Sequence, residues 1–108
     1  MDLFTHITDA NFEQEVLKSS LPVLLEFGAV WCQPCKRLEP ELAVLGQEWS
    51  GKVLLAKVDV DESAALASRF GVMGVPTVIL FVKGAAMQRM QGYVDRRRIV
   101  EKMGPYIP

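Results

Sequence analysis

Cysteine is scarce in this chain: two in 108 residues, both between positions 32 and 35, alongside a single histidine. That count excludes a cysteine-rich secreted scaffold. A chain of this length buries roughly two-thirds of the surface its unfolded form exposes, so folding needs neither disulfide staples nor a structural metal. A zinc site within one chain is poorly furnished, because four ligands are required and only His6 supplements the cysteine pair. Neither sign of charge is in excess: 12 Lys+Arg stand against 13 Asp+Glu, a formal net charge of −1, which argues against a strongly cationic nucleic-acid binder. Acidic side chains concentrate in residues 1–68 and basic ones in residues 69–108, a division that folding spreads over a mixed, solvated surface. Long apolar runs are missing too. The best is Val78 to Val82, far short of the ~20 residues that span a bilayer. The chain opens without a basic segment followed by an apolar one, so no signal peptide is expected and the cytoplasm is the expected location. No repeat, low-complexity tract or linker divides it, and one domain over residues 1–108 is expected.

What is present alternates short apolar runs with helical patterns, the mark of an α/β domain. Leu3 to Ile7 reads as a strand, and Thr8 or Asp9 as the N-cap of a short helix through Lys18 with Phe12, Val16 and Leu17 inward. Val23 to Phe27 is nearly all apolar, as a strand covered on both faces requires. Leu38, Leu42 and Leu45 recur at helical spacing up to about Trp49, with a kink expected at Pro40. Val53 to Val60 is the next strand, then a helix capped by Asp61 or Ser63 runs to Phe70 and stops at Gly71. After a loop from Val72 to Pro76 come a strand Thr77 to Val82, a turn at Lys83-Gly84 and a partner strand Met87 to Gln91. The tight turn demands an antiparallel pair, whereas the helical crossover between the second and third strands suits a parallel one. The sheet is therefore mixed. A last helix from Asp95 to Met103, with Ile99, Val100 and Met103 inward, covers one face.

Both cysteines form one Cys-x-x-Cys where a buried strand feeds a helix. Pro34 suits the first helical turn, where its missing N–H has no intrahelical partner to lose, and a spacing of three puts both sulfurs on one face. Cys32 at the helix start is the candidate nucleophile, its thiolate favoured by unpaired N–H groups and the positive helix end. Cys35, one turn further in, is the candidate resolving thiol that attacks the mixed disulfide formed by Cys32. A structural disulfide is the poorer reading, since closing so small a loop gains little chain entropy. Inert buried thiols remain a third.

Over nearly its whole length the sequence resembles the thioredoxin family. The residues that carry the likeness are Trp31-Cys32-x-Pro34-Cys35-Lys36, Pro40 inside the following helix, Asp59 to Asp61 at the third strand's end, Gly74-Val75-Pro76-Thr77, Gly84 and Gly92. The resemblance implies a five-stranded mixed sheet flanked by four helices. It also implies a reductase of protein disulfides that works without a tightly bound cofactor or metal, as an expected monomer, recharged by a flavin-dependent thioredoxin reductase. Pro76 would be cis, with the backbone of Val75 engaging an extended substrate, and Trp31, Gly74, Val75, Pro76 and Gly92 would form an apolar docking surface. Neither a nucleic acid nor a membrane is an expected partner. The alternatives within and beyond this chemistry are a disulfide oxidase or isomerase and a non-catalytic binding module on the same fold.

Glu26 and Lys57 interrupt otherwise apolar strands. Either the pleat turns them to water or to each other, or Glu26 is desolvated with a raised pKa and exchanges a proton with Cys35 through water, assisted by Lys57. The family pattern favours the second reading, although it usually has Asp at this place. Two further departures concern the site. Gly28 stands where the family commonly carries an aromatic residue, so the loop should be more open. Gln33 replaces the commonest glycine, and with Pro34 and Lys36 is expected to tune thiolate, potential and partner choice. His6 is assigned no catalytic role, and Asp59, Asp61 and Glu62 lack the spacing of a calcium loop. Arg96-Arg97-Arg98 spans most of a helical turn and reads as a solvated face.

Overall fold

The computed structural model describes residues 3–108, so Met1 and Asp2 of the opening segment lie outside the described residues. Five strands form one sheet: β1 Thr5–Ile7, β2 Val23–Gly28, β3 Leu54–Asp59, β4 Thr77–Val82 and β5 Ala85–Gln91, in the order β1-β3-β2-β4-β5. β3 runs parallel to both β1 and β2, whereas β4 is antiparallel to β2 and to β5. The mixed sheet follows from the connections, since the 16-residue helix α1, Gln33–Glu48, carries the chain back between β2 and β3 while Lys83-Gly84 reverses it in place. Both turn residues have positive φ, 52° and 83°, a conformation glycine adopts without a steric penalty.

Helices α2 (Ala64–Arg69), α3 (Arg96–Met103) and a single π-helical turn (Glu13–Leu17) complete four helical segments around the sheet, with a 3-10 turn at Gly104–Tyr106 extending α3. The first helical segment starts from the N-cap that the sequence offers at Thr8. Thr8 organises its start, accepting the Ala10 N–H on Oγ1 at 3.2 Å, while its own N–H donates to Asn11 Oδ1 at 2.8 Å. The Asn11 and Phe12 N–H groups also donate to Thr8 O, at 3.3 and 3.1 Å, so helical bonding starts at Thr8, ahead of the π-helical turn Glu13–Leu17. Of the two caps considered for α2, Ser63 holds the position. Asp95 caps α3 by accepting the Arg98 N–H. Val100, expected inward, is 41% exposed, because Ile99 and Met103 already take the buried stripe and the next residue lies about 100° around the helix. Arg96 pairs with Glu41 of α1 at 3.0 Å, and Arg97 and Arg98 face water.

Alternation along the strands builds two cores. Val23, Leu25 and Phe27 point with Ala56, Val58, Ile79 and Phe81 to the side covered by Phe12, Val16 and Leu66. Leu24, Leu55, Val78 and Leu80 point to the other side, against Leu38, Leu42 and Leu45 of α1 and Ile99 and Met103 of α3. Period two in β2 then places Glu26 and Gly28 on the α1 side with Leu24. α1 runs uninterrupted through Pro40. No helix among the described residues is long and apolar enough to cross a membrane.

Candidate active site

β2 ends at Gly28, and after Ala29, Val30 and Trp31 the chain enters α1. Cys32 is the N-cap, its backbone extended at φ −87° and ψ 108°, and its Sγ accepts the Cys35 N–H at 3.2 Å. The sulfur thus occupies the place a capping oxygen normally takes, aimed at the unpaired donors of the first turn. Pro34 sits inside that turn, where it forfeits no helical bond. Cys32 and Cys35 are joined in a disulfide. Cys35 is fully buried and Cys32 is 4% exposed, while Gln33 and Lys36 lie at the surface.

The other loops reach the same end of the sheet through strand register. In the β2–β4 pair Phe27 faces Thr77, and in the β4–β5 pair Thr77 faces Gln91. One step further lie Gly28, Pro76 and Gly92. The Val75–Pro76 bond is cis, the Gly92 N–H donates to Pro76 O at 2.8 Å, and Thr77 Oγ1 donates to Gly74 O at 2.7 Å. A Cβ on Gly74 would stand 3.1 Å from Gln91 Nε2, tighter than most side chains tolerate. Trp31 is 64% exposed, and Met73, beside Gly74, is 93% exposed. From the parallel side, the Val60 N–H donates to Gly28 O at 2.9 Å, which brings the turn Asp59–Asp61 alongside. Asp61 then accepts the Trp31 indole N–H on Oδ2 at 2.8 Å. The sequence offered Asp61 as a strand end or helix cap and not as a partner of Trp31; the bond joins residues thirty apart and leaves no local pattern.

Beneath this surface lies Glu26, buried to 0% exposure, with neither carboxylate oxygen hydrogen-bonded among the described residues. A methyl placed on Gly28 would be 3.3 Å from both Cys35 Sγ and Glu26 Oε2. The sulfur and the oxygen are therefore no farther apart than twice that distance. Burial, and secondarily the Glu39 carboxylate, push the Glu26 carboxyl from an ordinary 4.5 up to about 9, against the smaller opposing pull of Lys57. Lys57 stands opposite Glu26 in the β2–β3 ladder, yet its ammonium pairs with Glu39 Oε1 at 3.8 Å and lies over the Phe4 ring at 5.1 Å. Cys35 Sγ and the Glu26 carboxylate close on the place a Gly28 side chain would take. A cavity of about 560 Å³ opens beside them, lined by Glu26, Gly28, Lys36, Glu39 and Lys57 among others, with His6 at its β1 side. Glu39 was not singled out from the sequence, although its position four residues after Cys35 puts it on the same helix face.

A vicinal cysteine pair bonded across the first turn of a helix, with one sulfur at the N-cap and a buried acid behind the other, defines a thiol–disulfide oxidoreductase. The family model for thioredoxin matches residues 3–104. Thioredoxin 1 of Synechococcus elongatus is 35% identical over 107 residues, covering 99% of this chain and 100% of the relative. The thioredoxins of Rickettsia bellii and Haemophilus influenzae are each 37% identical, over 90% and 94% of this chain and 92% and 95% of their own lengths. This chain belongs to the thioredoxin family, and its activity is that of a protein-disulfide reductase.

Proposed function

We propose that Cys32 is the attacking thiolate and Cys35 the resolving thiol in a cycle that reduces disulfide-containing proteins in the cytoplasm, with a flavin-dependent thioredoxin reductase as electron donor. Cys32 thiolate attacks one sulfur of the substrate disulfide, and the other substrate sulfur leaves as thiolate. Cys35 then loses its proton and attacks Cys32 Sγ. The Cys32–Cys35 bond forms, the second substrate sulfur is released, and two electrons have passed from the pair to the substrate. The observation that carries this reading is Cys32 Sγ at the N-cap accepting the Cys35 N–H, because the same donor and helix end that hold the sulfur favour its anion.

Glu26 is the proton partner of Cys35. Glu26 Oε2 and Cys35 Sγ stand against the same side of Gly28, and the adjoining cavity, lined by Glu26 and Gly28, gives water access to them. Protonated in the disulfide state, it hands a proton to Cys35 when a reductase opens the bond, and takes one when Cys35 resolves a mixed disulfide. Lys57 acts on Glu26 electrostatically. Trp31, Gly74, Val75, Pro76 and Gly92 form the docking surface, and the exposed Gln33 and Lys36 border the attacking sulfur, with Pro34 between the cysteines. No tightly bound cofactor enters this cycle, and the protein works as a monomer.

A redox titration of the Cys32/Cys35 pair in a dithiothreitol buffer series, read by tryptophan fluorescence and confirmed by thiol alkylation, tests the direction of the cycle. A two-electron midpoint near the reference value of thioredoxin itself, about −270 mV, supports the reductase. One near about −120 mV, where strong disulfide donors lie, would mark an oxidant. The absence of any transition would leave only a binding module.

A further inference from the structure

The acid behind Cys35 has a second carboxylate beside it. Glu39 projects from α1 one turn beyond Cys35, and Lys57 projects from β3 at the register position facing Glu26. Neighbouring strands lie about 4.8 Å apart, so the ladder itself would make Lys57 the counter-ion of Glu26. Instead the Nζ is 3.8 Å from Glu39 Oε1, in a pair whose side chains are 30% and 27% exposed, while Glu26 is wholly buried and unpartnered. One ammonium has two carboxylates within its range, and the difference in solvation decides between them. The pair with Glu39 keeps part of its hydration at the rim, whereas an ion pair at Glu26 would hold a charge stripped of water.

We propose that Glu39 is a positioning residue of the redox centre: by holding Lys57 at the cavity rim it withholds a counter-ion from Glu26 and keeps that residue a neutral acid behind Cys35. The inference rests on the reading of Glu26 as the proton partner of Cys35. The remaining titratable groups on the cavity are His6 from β1, Lys36 from α1, and Asp59 and Glu62 at and beyond the end of β3. Their signs are mixed, and none hydrogen-bonds Glu26. Glu39 also raises the Glu26 carboxyl directly, by repulsion between the two carboxylates, and the test separates that effect from the one exerted through Lys57.

The test is a titration of the Glu26 side-chain carboxyl by carbon NMR in the oxidised full chain, comparing the parent with Glu39→Gln, Glu39→Asp and the double variant Glu39→Gln/Lys57→Met. Backbone amide spectra verify the fold of each. Freed from Glu39, Lys57 turns to Glu26, and the midpoint in Glu39→Gln falls by about 1–3 pH units, the effect of an opposite charge gained at close range. Glu39→Asp, which keeps the charge, retains most of the parent midpoint, and removing the ammonium in the double variant restores a high one. An unchanged midpoint in Glu39→Gln overturns the proposal. So does a fall that persists in the double variant, since the effect would then be direct repulsion between the carboxylates without Lys57. The NMR readout is independent of turnover: if Glu26→Gln left the rate of mixed-disulfide resolution unchanged, the proton-partner reading would fail while the titration still decided the role of Glu39.

Discussion

Trp31 and Asp61 are tied across the active-site loop: the exposed indole donates its N–H to a carboxylate oxygen at 2.8 Å. The bond orients an aromatic face that solvent alone would leave free to rotate. Because both partners are exposed, its contribution to folding is small, about 0.5–1.5 kcal/mol at most. Asp61→Ala should therefore leave the unfolding midpoint nearly unchanged. It should lower the fluorescence anisotropy of Trp31 and raise KM for a protein disulfide several-fold with kcat largely kept. An unchanged KM would remove the oriented indole from substrate docking.

The burial difference between the cysteines predicts unequal variants. Cys35→Ser should accumulate a mixed disulfide between Cys32 and substrate, visible as an added mass in non-reducing mass spectrometry, because the resolving sulfur is gone. Cys32→Ser should trap nothing, since the remaining sulfur is fully buried.

Glu26 makes stability depend on pH in a direction opposite to that of most carboxylates. Its folded-state pKa, about 9, lies above the unfolded 4.5. The favourable contribution of its neutral form is complete below pH 4.5 and is lost as pH rises toward 9, where the unfolded chain is ionised and the folded one is not. Glu26→Gln, which removes the titration, should stabilise the oxidised protein by a few kcal/mol at pH 7 and make denaturant midpoints flatter between pH 5 and 9. The same substitution should slow mixed-disulfide resolution at neutral pH while sparing the first attack by Cys32. A parent protein equally stable at pH 5 and pH 8 would contradict the raised value.

Gly28 is held open by its neighbours. Alanine there reduces unfolded-chain entropy, a gain of about 0.4–1 kcal/mol, but its methyl would press on Cys35 Sγ and Glu26 Oε2, each 3.3 Å away. The sulfur is fixed in the disulfide and the carboxylate is buried, so crowding of about 1–3 kcal/mol outweighs the gain. Gly28→Ala should lower the denaturant midpoint of the oxidised form and slow proton exchange at Glu26. A rise in the midpoint would mean that the loop yields more readily than its packing suggests.

The elements themselves were legible because each rests on a local pattern. Nearly continuous apolar residues in β2 and the Leu38-Leu42-Leu45 stripe in α1 determined a covered strand and an amphipathic helix, and the connections determined a mixed sheet. The start of the first helix was legible for an equally local reason, since Thr8 makes the capping bonds that its residue type suggests. Val100 was misplaced because a buried stripe two residues wide leaves no room for a third.

The sequence by itself determined the reactive chemistry: two thiols three apart after a buried strand, with a proline placed where a helix can start. It also placed Glu26 and Lys57 on opposing strands. Only the tertiary structure decided which charge pairs with which. Lys57 goes to Glu39, and Trp31 to Asp61, because ion pairs and side-chain bonds between elements depend on strand register, helix docking and relative solvation, none of which leaves a period along the chain. Gly28 is of the same kind: the missing side chain is written in the sequence, but that Cys35 Sγ and the Glu26 carboxylate close on its place was settled by packing.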